Sequence, residues 1–233
     1  MTWRAVGRAL SLALLVGGQA WCAGALKPVV MLDPGHGGTE RGVKADGVDE
    51  AAYTLALAQK VAEALKKAGI DARLTRDQDL NLSPLSRTAI AKAANAAALV
   101  SLHLNHSYNS EARGLRVFVP APGPVDEPAA PLWEQASRLQ ALPSRTLGQC
   151  IAAALGETGG RSVQSLKLAL FRGLGLPAAE VELDYASNKA AWASLSKPEN
   201  QDVIAAKLAQ GIAKFVQAVP GSAVGGADAP AKP

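Results

Sequence analysis

Cysteine is almost missing from this 233-residue chain, which contains two. Cys22 falls within the first 25 residues, a segment that reads as removable. Its loss leaves Cys150 alone, which excludes an intramolecular disulfide framework. Strong charge of either sign is missing too. The chain carries 24 basic and 20 acidic residues. Its first 25 residues hold Arg4, Arg8 and no acid, so residues 26–233 keep a net charge of +2. That is too mild to indicate nucleic acid as a partner, though it permits contact with an anionic surface. Long hydrophobic runs are lacking as well. The apolar stretch 9–16 is too short for a stable membrane span. It follows Arg4 and Arg8 and leads through small residues to Ala23-Gly24-Ala25. This is the make-up of a secretory signal peptide. Residues 1–25 are therefore expected to be a signal peptide, with no transmembrane segment after its cleavage and a periplasmic or secreted destination. The separated arginines do not form a twin-arginine signal, and the bulky Trp21 argues against lipidation at Cys22. No internal repeat is visible.

Histidine is also scarce: His36, His103 and His106 are all there are. Two of them occupy the same kind of place. The run Val29-Val30-Met31-Leu32 reads as a buried strand. It stops at Asp33-Pro34-Gly35, and His36 follows between glycines that let backbone approach closely. A second apolar run, from Ala98 to Leu102, delivers His103. Were the two strands parallel neighbours, both imidazoles would stand at the carboxyl edge of the sheet, where ligands and catalytic groups gather in open α/β folds. Two histidines call for a carboxylate to complete a hydrolytic zinc site, which uses three protein ligands plus a water. Glu50 is the candidate. It opens a helical stretch, 50–68, with Leu55, Ala58, Val61, Ala62, Leu65 and Ala68 on its apolar stripe. A first-turn glutamate also complements the helix dipole, and spacing alone does not choose between these roles. His106 lies in a post-strand loop and reads as a cleft-rim residue. Asn105 and Asp33 suit either the orientation of a liganding imidazole or turn capping.

Strands are expected near 29–33, 71–75, 98–102, 114–119, 167–171 and 179–183, and helices near 50–68, 84–95, 144–155 and 198–218. This alternation predicts an α/β fold, a three-layer sandwich with a mostly parallel central sheet flanked by helices. Ser83-Pro84 supplies an N-cap and a proline at the first helical position. Ile204, Leu208, Ile212, Phe215 and Val219 line one face of the last helix. Cys150, on a helical stretch with Leu147, Ile151 and Leu155, reads as a buried core thiol. Arg76 and Arg87 read as internal ion-pair partners of Asp77 or Asp79. Residues 26–219 then make one domain with a sizeable core, and 220–233 reads as a disordered tail.

Five motifs occur in order: DPGHGG at 33–38, Glu50 opening a helix, LTRDQD at 74–79, SLHLN at 101–105 and PAAEVELDYASN at 177–188. Together they resemble the zinc-dependent N-acetylmuramoyl-L-alanine amidases of the Amidase_3 type, over roughly residues 27–219. The resemblance implies that His36, Glu50 and His103 hold one zinc ion per chain and that Glu182 is the catalytic glutamate. It implies peptidoglycan as substrate and cleavage of the amide between N-acetylmuramic acid and L-alanine. The residues themselves agree. Val181 and Leu183 flank Glu182 in a strand-like run, so Glu182 points to the opposite face from them. A carboxylate beside a zinc site can take a proton from water and pass it to the leaving amine. Glu180, two residues earlier, is the alternative base.

The chain departs from the family at Asp184, where glycine is common, and at Ala97, where aspartate is common. Asp184 leaves the loop after Glu182 open. Some members carry an inserted segment that plugs the zinc site until an activator binds. Residues 132–142 are therefore a candidate lid with Glu134 as blocking ligand, against the competing reading of a cleft-wall helix. A protein activator is a candidate partner. A monomer is expected. Two other functions stay open: a zinc peptidase acting within stem peptides, and an inactive wall-binding protein, against which the presence of Glu182 argues.

Overall fold

The computed structural model describes residues 28–43, 47–122, 135, 138–157 and 162–218. The expected signal peptide, the expected tail and most of the segment 124–141, Glu134 included, lie outside the described residues. In chain order the elements are β1 (Val29–Pro34), α1 (Glu50–Lys67), β2 (Asp71–Leu74), α2 (Pro84–Ala93), β3 (Ala98–Asn105), β4 (Arg116–Pro120), α3 (Ala141–Ala154), β5 (Val163–Leu166), a 3-10 turn (Ala169–Phe171), β6 (Ala178–Tyr185), α4 (Lys189–Leu195) and α5 (Pro198–Ala218). Asp49 caps α1 by accepting from the Ala52 amide, and Ser83 caps α2 with Pro84 in its first turn, as the local sequence suggests.

The strands form one sheet in the order β2-β1-β3-β6-β4-β5. β2, β1, β3 and β6 run parallel. β4 is antiparallel to β6, and β5 follows β4. The mostly parallel α/β sandwich expected from the sequence is the observed fold. Side chains alternate across the strands and build two cores. Val30, Leu32, Val100, Leu102, Val181 and Leu183 face one side, where they meet Leu57, Val61, Leu147, Leu208 and Phe215 of α1, α3 and α5. Met31, Leu99 and Ala178 face the other, against Ala91 of α2 and Leu170 and Phe171 of the 3-10 turn. The first side is closed over by helices. On the second, the residues that continue the same alternation toward the carboxyl ends are Asp33, Ser101, His103, Glu180 and Glu182. No helix among the described residues is long and apolar enough to cross a membrane.

Some expectations need correction. The strand placed at 167–171 lies at 163–166. Residues 169–171 instead close a 3-10 turn, because Leu170 and Phe171 bury into the second core rather than pairing along an edge. α4, capped by the Asn188 side chain, was not anticipated. Its seven residues are too few to show a helical period. Cys150 is half-buried against the core rather than enclosed by it.

Phe215 is fully buried in the first core. Phe215→Ala is expected to lower the unfolding free energy by about 3–5 kcal/mol, seen as a lower urea midpoint with an unchanged slope.

Candidate metal centre

β1 ends in a turn that brings His36 over the carboxyl edge of the sheet. His36 has φ 58, in the left-handed region, which costs a non-glycine residue about 1–2 kcal/mol. Two buried guanidiniums hold the turn in that shape. Arg76 donates to the carbonyls of Pro34 at 3.0 Å, Gly35 at 2.8 Å and Ala51 at 2.8 Å. Arg87 donates to the carbonyls of Pro34 at 2.7 Å and His36 at 2.8 Å, and to Asp33 Oδ1 at 2.8 Å. The loop beyond is clasped from outside. Arg41 reaches Asp79 Oδ2 at 2.7 Å and Asp49 Oδ1 at 2.6 Å, and Asp79 also accepts from the Gly38 amide at 2.8 Å.

Within this frame three side chains converge. His36 Nε2 lies 3.0 Å from Glu50 Oε1. His103 Nδ1 lies 3.2 Å from the same oxygen and 3.1 Å from His36 Nε2. Glu50 is fixed by two backbone donors, Leu104 N at 2.8 Å on Oε1 and Val43 N at 2.7 Å on Oε2. The space is shaped by glycines. A Cβ on Gly35 would meet His103 Cε1 at 2.3 Å, and one on Gly42 would meet Glu50 Oε2 at 2.2 Å. Among the described residues this is the one cluster of three His, Cys, Asp or Glu side chains able to share a metal ion. A tetrahedral ion held at ~2.0–2.1 Å calls for donors about 3.3–3.4 Å apart. The observed separations of 3.0–3.2 Å are close to that. The two nitrogens and one carboxylate oxygen are also a donor set suited to a borderline divalent cation.

The electrostatics favour added positive charge. Burial works against ionised Glu50, yet hydrogen bonds from His103 and His36 prevail and hold it at about 2. Burial also works against protonated His103, and Glu50, Glu180 and Glu182 outweigh it and lift the ring to about 9. His36 is raised against the same opposing burial by Glu50 and Glu40. On β6, burial chiefly, with Glu180 and Glu50 adding repulsion, pushes Glu182 up to about 7. Its Oε2 is buried without a hydrogen-bond partner. Glu180 is likewise raised, chiefly by burial. It lines a cavity of about 260 Å³ together with His36, His103, Asp33, Leu82 and Leu170.

His36, Glu50 and His103 are thus brought together, with Glu182 opposite His103 in the β3–β6 register. His106 stays outside the cluster, exposed and edge-on to Tyr108 with ring centroids 5.7 Å apart. Arg76 and Arg87 are internal but do not pair with Asp77 or Asp79. Arg76 is taken up by carbonyls and Arg87 by Asp33, while Asp79 pairs with Arg41. Among the described residues Asp33 makes no hydrogen bond to an imidazole. It accepts from Thr75, Arg87 and Ser101. Asn105 caps the turn, accepting from the His106 amide. Asp184 ties β6 to the approach to β4 through the Gly114 amide at 2.8 Å and Arg113 at 3.2 Å. Glu40 was missed by sequence reasoning. Its Oε2 contacts His36 Nδ1, and its Oε1 accepts from Gly42 N at 3.0 Å. The available signal was a carboxylate four residues after the histidine, inside the glycine-rich loop.

A family model described as N-acetylmuramoyl-L-alanine amidase matches residues 30–214. The chain is similar to the N-acetylmuramoyl-L-alanine amidase AmiA of Escherichia coli, with 41% identity over 93 residues, covering 40% of this chain and 32% of that protein. It is similar to AmiC of Neisseria meningitidis, also an N-acetylmuramoyl-L-alanine amidase, with 26% identity over 221 residues, covering 82% of this chain and 53% of the relative. The chain therefore spans about a third to a half of the length of these relatives. Among solved structures, N-acetylmuramoyl-L-alanine amidase AmiC2 of Nostoc punctiforme superposes with a TM-score of 0.66 at 28% identity, covering 82% of this chain and 97% of that one.

The glycine contacts separate shape from strain. Gly42 and Gly47 both have positive φ, but a Cβ on Gly47 meets nothing within 4 Å. Gly42→Ala is expected to abolish tetrahedral cobalt(II) binding, followed by its visible absorption. Gly47→Ala should lose only about 1 kcal/mol of stability and bind cobalt(II) like the parent.

Proposed function

The chain belongs to the N-acetylmuramoyl-L-alanine amidase family, and on that footing we propose that it is a zinc-dependent hydrolase that separates N-acetylmuramic acid from L-alanine in peptidoglycan. The observation that carries the reading is the convergence of His36 Nε2, Glu50 Oε1 and His103 Nδ1 at 3.0–3.2 Å, with Glu182, whose Oε2 is buried without a hydrogen-bond partner, opposite His103 in the strand register. In this reading His36, Glu50 and His103 hold one zinc ion per chain. When bound, zinc would polarise the scissile carbonyl and lower the pKa of a coordinated water to about 7.

The remaining chemistry falls to the chain. Glu182 takes the proton of the attacking water and delivers it to the departing nitrogen. A C–O bond forms at the lactyl carbonyl of the muramic acid as the C–N bond to L-alanine breaks. The products are a glycan carboxylate and a stem peptide with a free amino terminus. In the site without a cation, burial lifts the Glu182 carboxyl to about 7, the behaviour of a group whose proton is readily exchanged. Glu40, against His36 Nδ1, fixes that ring's orientation and tautomer. The cavity of about 260 Å³ beside His36 and His103 offers room for substrate, with Leu82 and Leu170 as apolar wall. Residues 1–25 act as the export signal and 26–219 as the catalytic unit, working as a monomer in the periplasm or outside the cell. Peptidoglycan is the partner, a protein activator the second, and nucleic acid is not one.

The test is mass spectrometry of purified peptidoglycan digested by residues 26–233 with zinc. Stem peptides beginning with L-alanine, together with peptide-free glycan, are expected. Cuts between amino acids would move the protein to the peptidases, and no products from folded, zinc-loaded protein, with residues 124–141 present or deleted, would remove it from the enzymes. Glu182→Ala is expected to lower turnover by a factor of about 10²–10⁴ while zinc stays bound. His36→Ala should lose both.

A further inference from the structure

Each imidazole of the centre has two ends. His36 turns Nε2 toward Glu50 and His103, and its Nδ1 meets the carboxylate of Glu40. His103 turns Nδ1 toward Glu50 and His36. Its Nε2 faces the carboxylate of Glu180, with Oε2 at 4.0 Å. A neutral imidazole that gives one nitrogen to a cation carries its proton on the other. Each ring therefore needs an acceptor at its far end. Glu40 serves His36. For His103 we propose that Glu180 is the positioning carboxylate, accepting from Nε2–H and so fixing the tautomer that leaves Nδ1 free for the cation. This rests on the reading above that His36, Glu50 and His103 hold zinc.

Four observations support the assignment. In the parallel β3–β6 pair Ser101 lies beside Glu180 and His103 beside Glu182, so Glu180 shares the face of the His103 ring, one alternation nearer the amino end. Among the described residues Glu180 has no competing attachment. It makes no hydrogen bond among the described residues, and its one ion pair is with His103. Gly35 closes against the ring edge between the two nitrogens. The position of a Gly35 Cβ lies 2.6 Å from both ring nitrogens. That contact sets where the ring sits without choosing which nitrogen is protonated, and an acceptor on one side makes the choice. Finally, 4.0 Å exceeds a direct hydrogen bond, but Glu180 lines the open cavity. A shift of the carboxylate oxygen by about 1 Å, or one bridging water, closes the gap. The two β6 glutamates then divide the work. Glu180 acts through His103, and Glu182 acts on the proton.

The experiment uses residues 26–233 with Glu180→Gln and Glu180→Leu. Zinc affinity is measured by competition with a chelator, and the tautomer of His103 by long-range nitrogen–proton NMR of the zinc-loaded protein. Wild type is expected to carry the His103 proton on Nε2. Glu180→Leu should bind zinc about 10–100-fold more weakly and lose the single tautomer. Glu180→Gln, which keeps an acceptor oxygen, should recover most of both, with kcat at saturating zinc within a few-fold of wild type. Unchanged zinc affinity and tautomer in Glu180→Leu would overturn the proposal. So would a hundredfold fall in kcat at saturating zinc in Glu180→Gln with affinity intact, which would make Glu180 the proton carrier. If Glu180→Leu fails to fold by circular dichroism, Glu180→Gln decides through that same kcat-against-affinity split and through its tautomer. Wild-type protein that fails to bind zinc, or binds it without cutting peptidoglycan, would count against the proposed function and is read from the unmutated chain.

Discussion

A carboxylate buried at the head of a helix is the constraint from which the rest of this structure follows. Glu50 is 1% exposed, and an isolated ionised group at that depth would be costly enough to neutralise itself or unfold its surroundings. It is matched instead by two amides and two imidazoles, which come from β3, from the loop after β1 and from the loop's far limb. Satisfying one side chain therefore fixes three segments of chain relative to one another. The glycines at 35 and 42 stand where anything larger would push these partners apart. The buried arginines 76 and 87 do the matching work for the backbone, collecting the carbonyls that the sharp exit from β1 leaves without strand partners.

The sheet divides its labour by face. On one side α1, α3 and α5 seal an apolar core. On the other, a smaller core gives way toward the carboxyl ends to Asp33, Ser101, His103, Glu180 and Glu182. Because side chains alternate from Ala178 to Leu183, moving β6 by one residue would drive both glutamates into the sealed core and bring Val181 to the candidate metal centre. The centre is therefore protected by the same register that stabilises the fold, and Asp184, which joins β6 to the approach of β4, helps to lock it.

Much of this was written locally. The strands carrying His36, His103 and Glu182 are short apolar runs, and α1 and α5 have clear helical periods, so their place and type were legible, as was the cap residue Ser83 ahead of Pro84. The three candidate ligands stood out because histidine is rare here and each ended a run or opened a helix. What was not legible depends on partners distant in sequence. Arg87 finds Asp33 across 54 residues and Arg41 finds Asp79 across 38, and nearby acids in the sequence are no guide to either choice. The 3-10 turn at 169–171 looked like a strand because its apolar residues are buried, and burial alone does not distinguish pairing from packing. Glu40 was hidden because the path of a glycine-rich loop is not set by its own residues.

The clasp of Arg41 across Asp49 and Asp79 has a thermodynamic meaning beyond geometry. A flexible loop that closes on an ion must give up its conformational entropy at the moment of capture, about 1–2 kcal/mol for each residue fixed, and that loss is subtracted from affinity. Here the residues between His36 and Gly42 are tied down by groups that never touch the centre. The entropy is surrendered during folding, when the rest of the domain can compensate. An ion captured as proposed would meet a mould rather than a coil, and its exchange would be a matter of bonds and hydration.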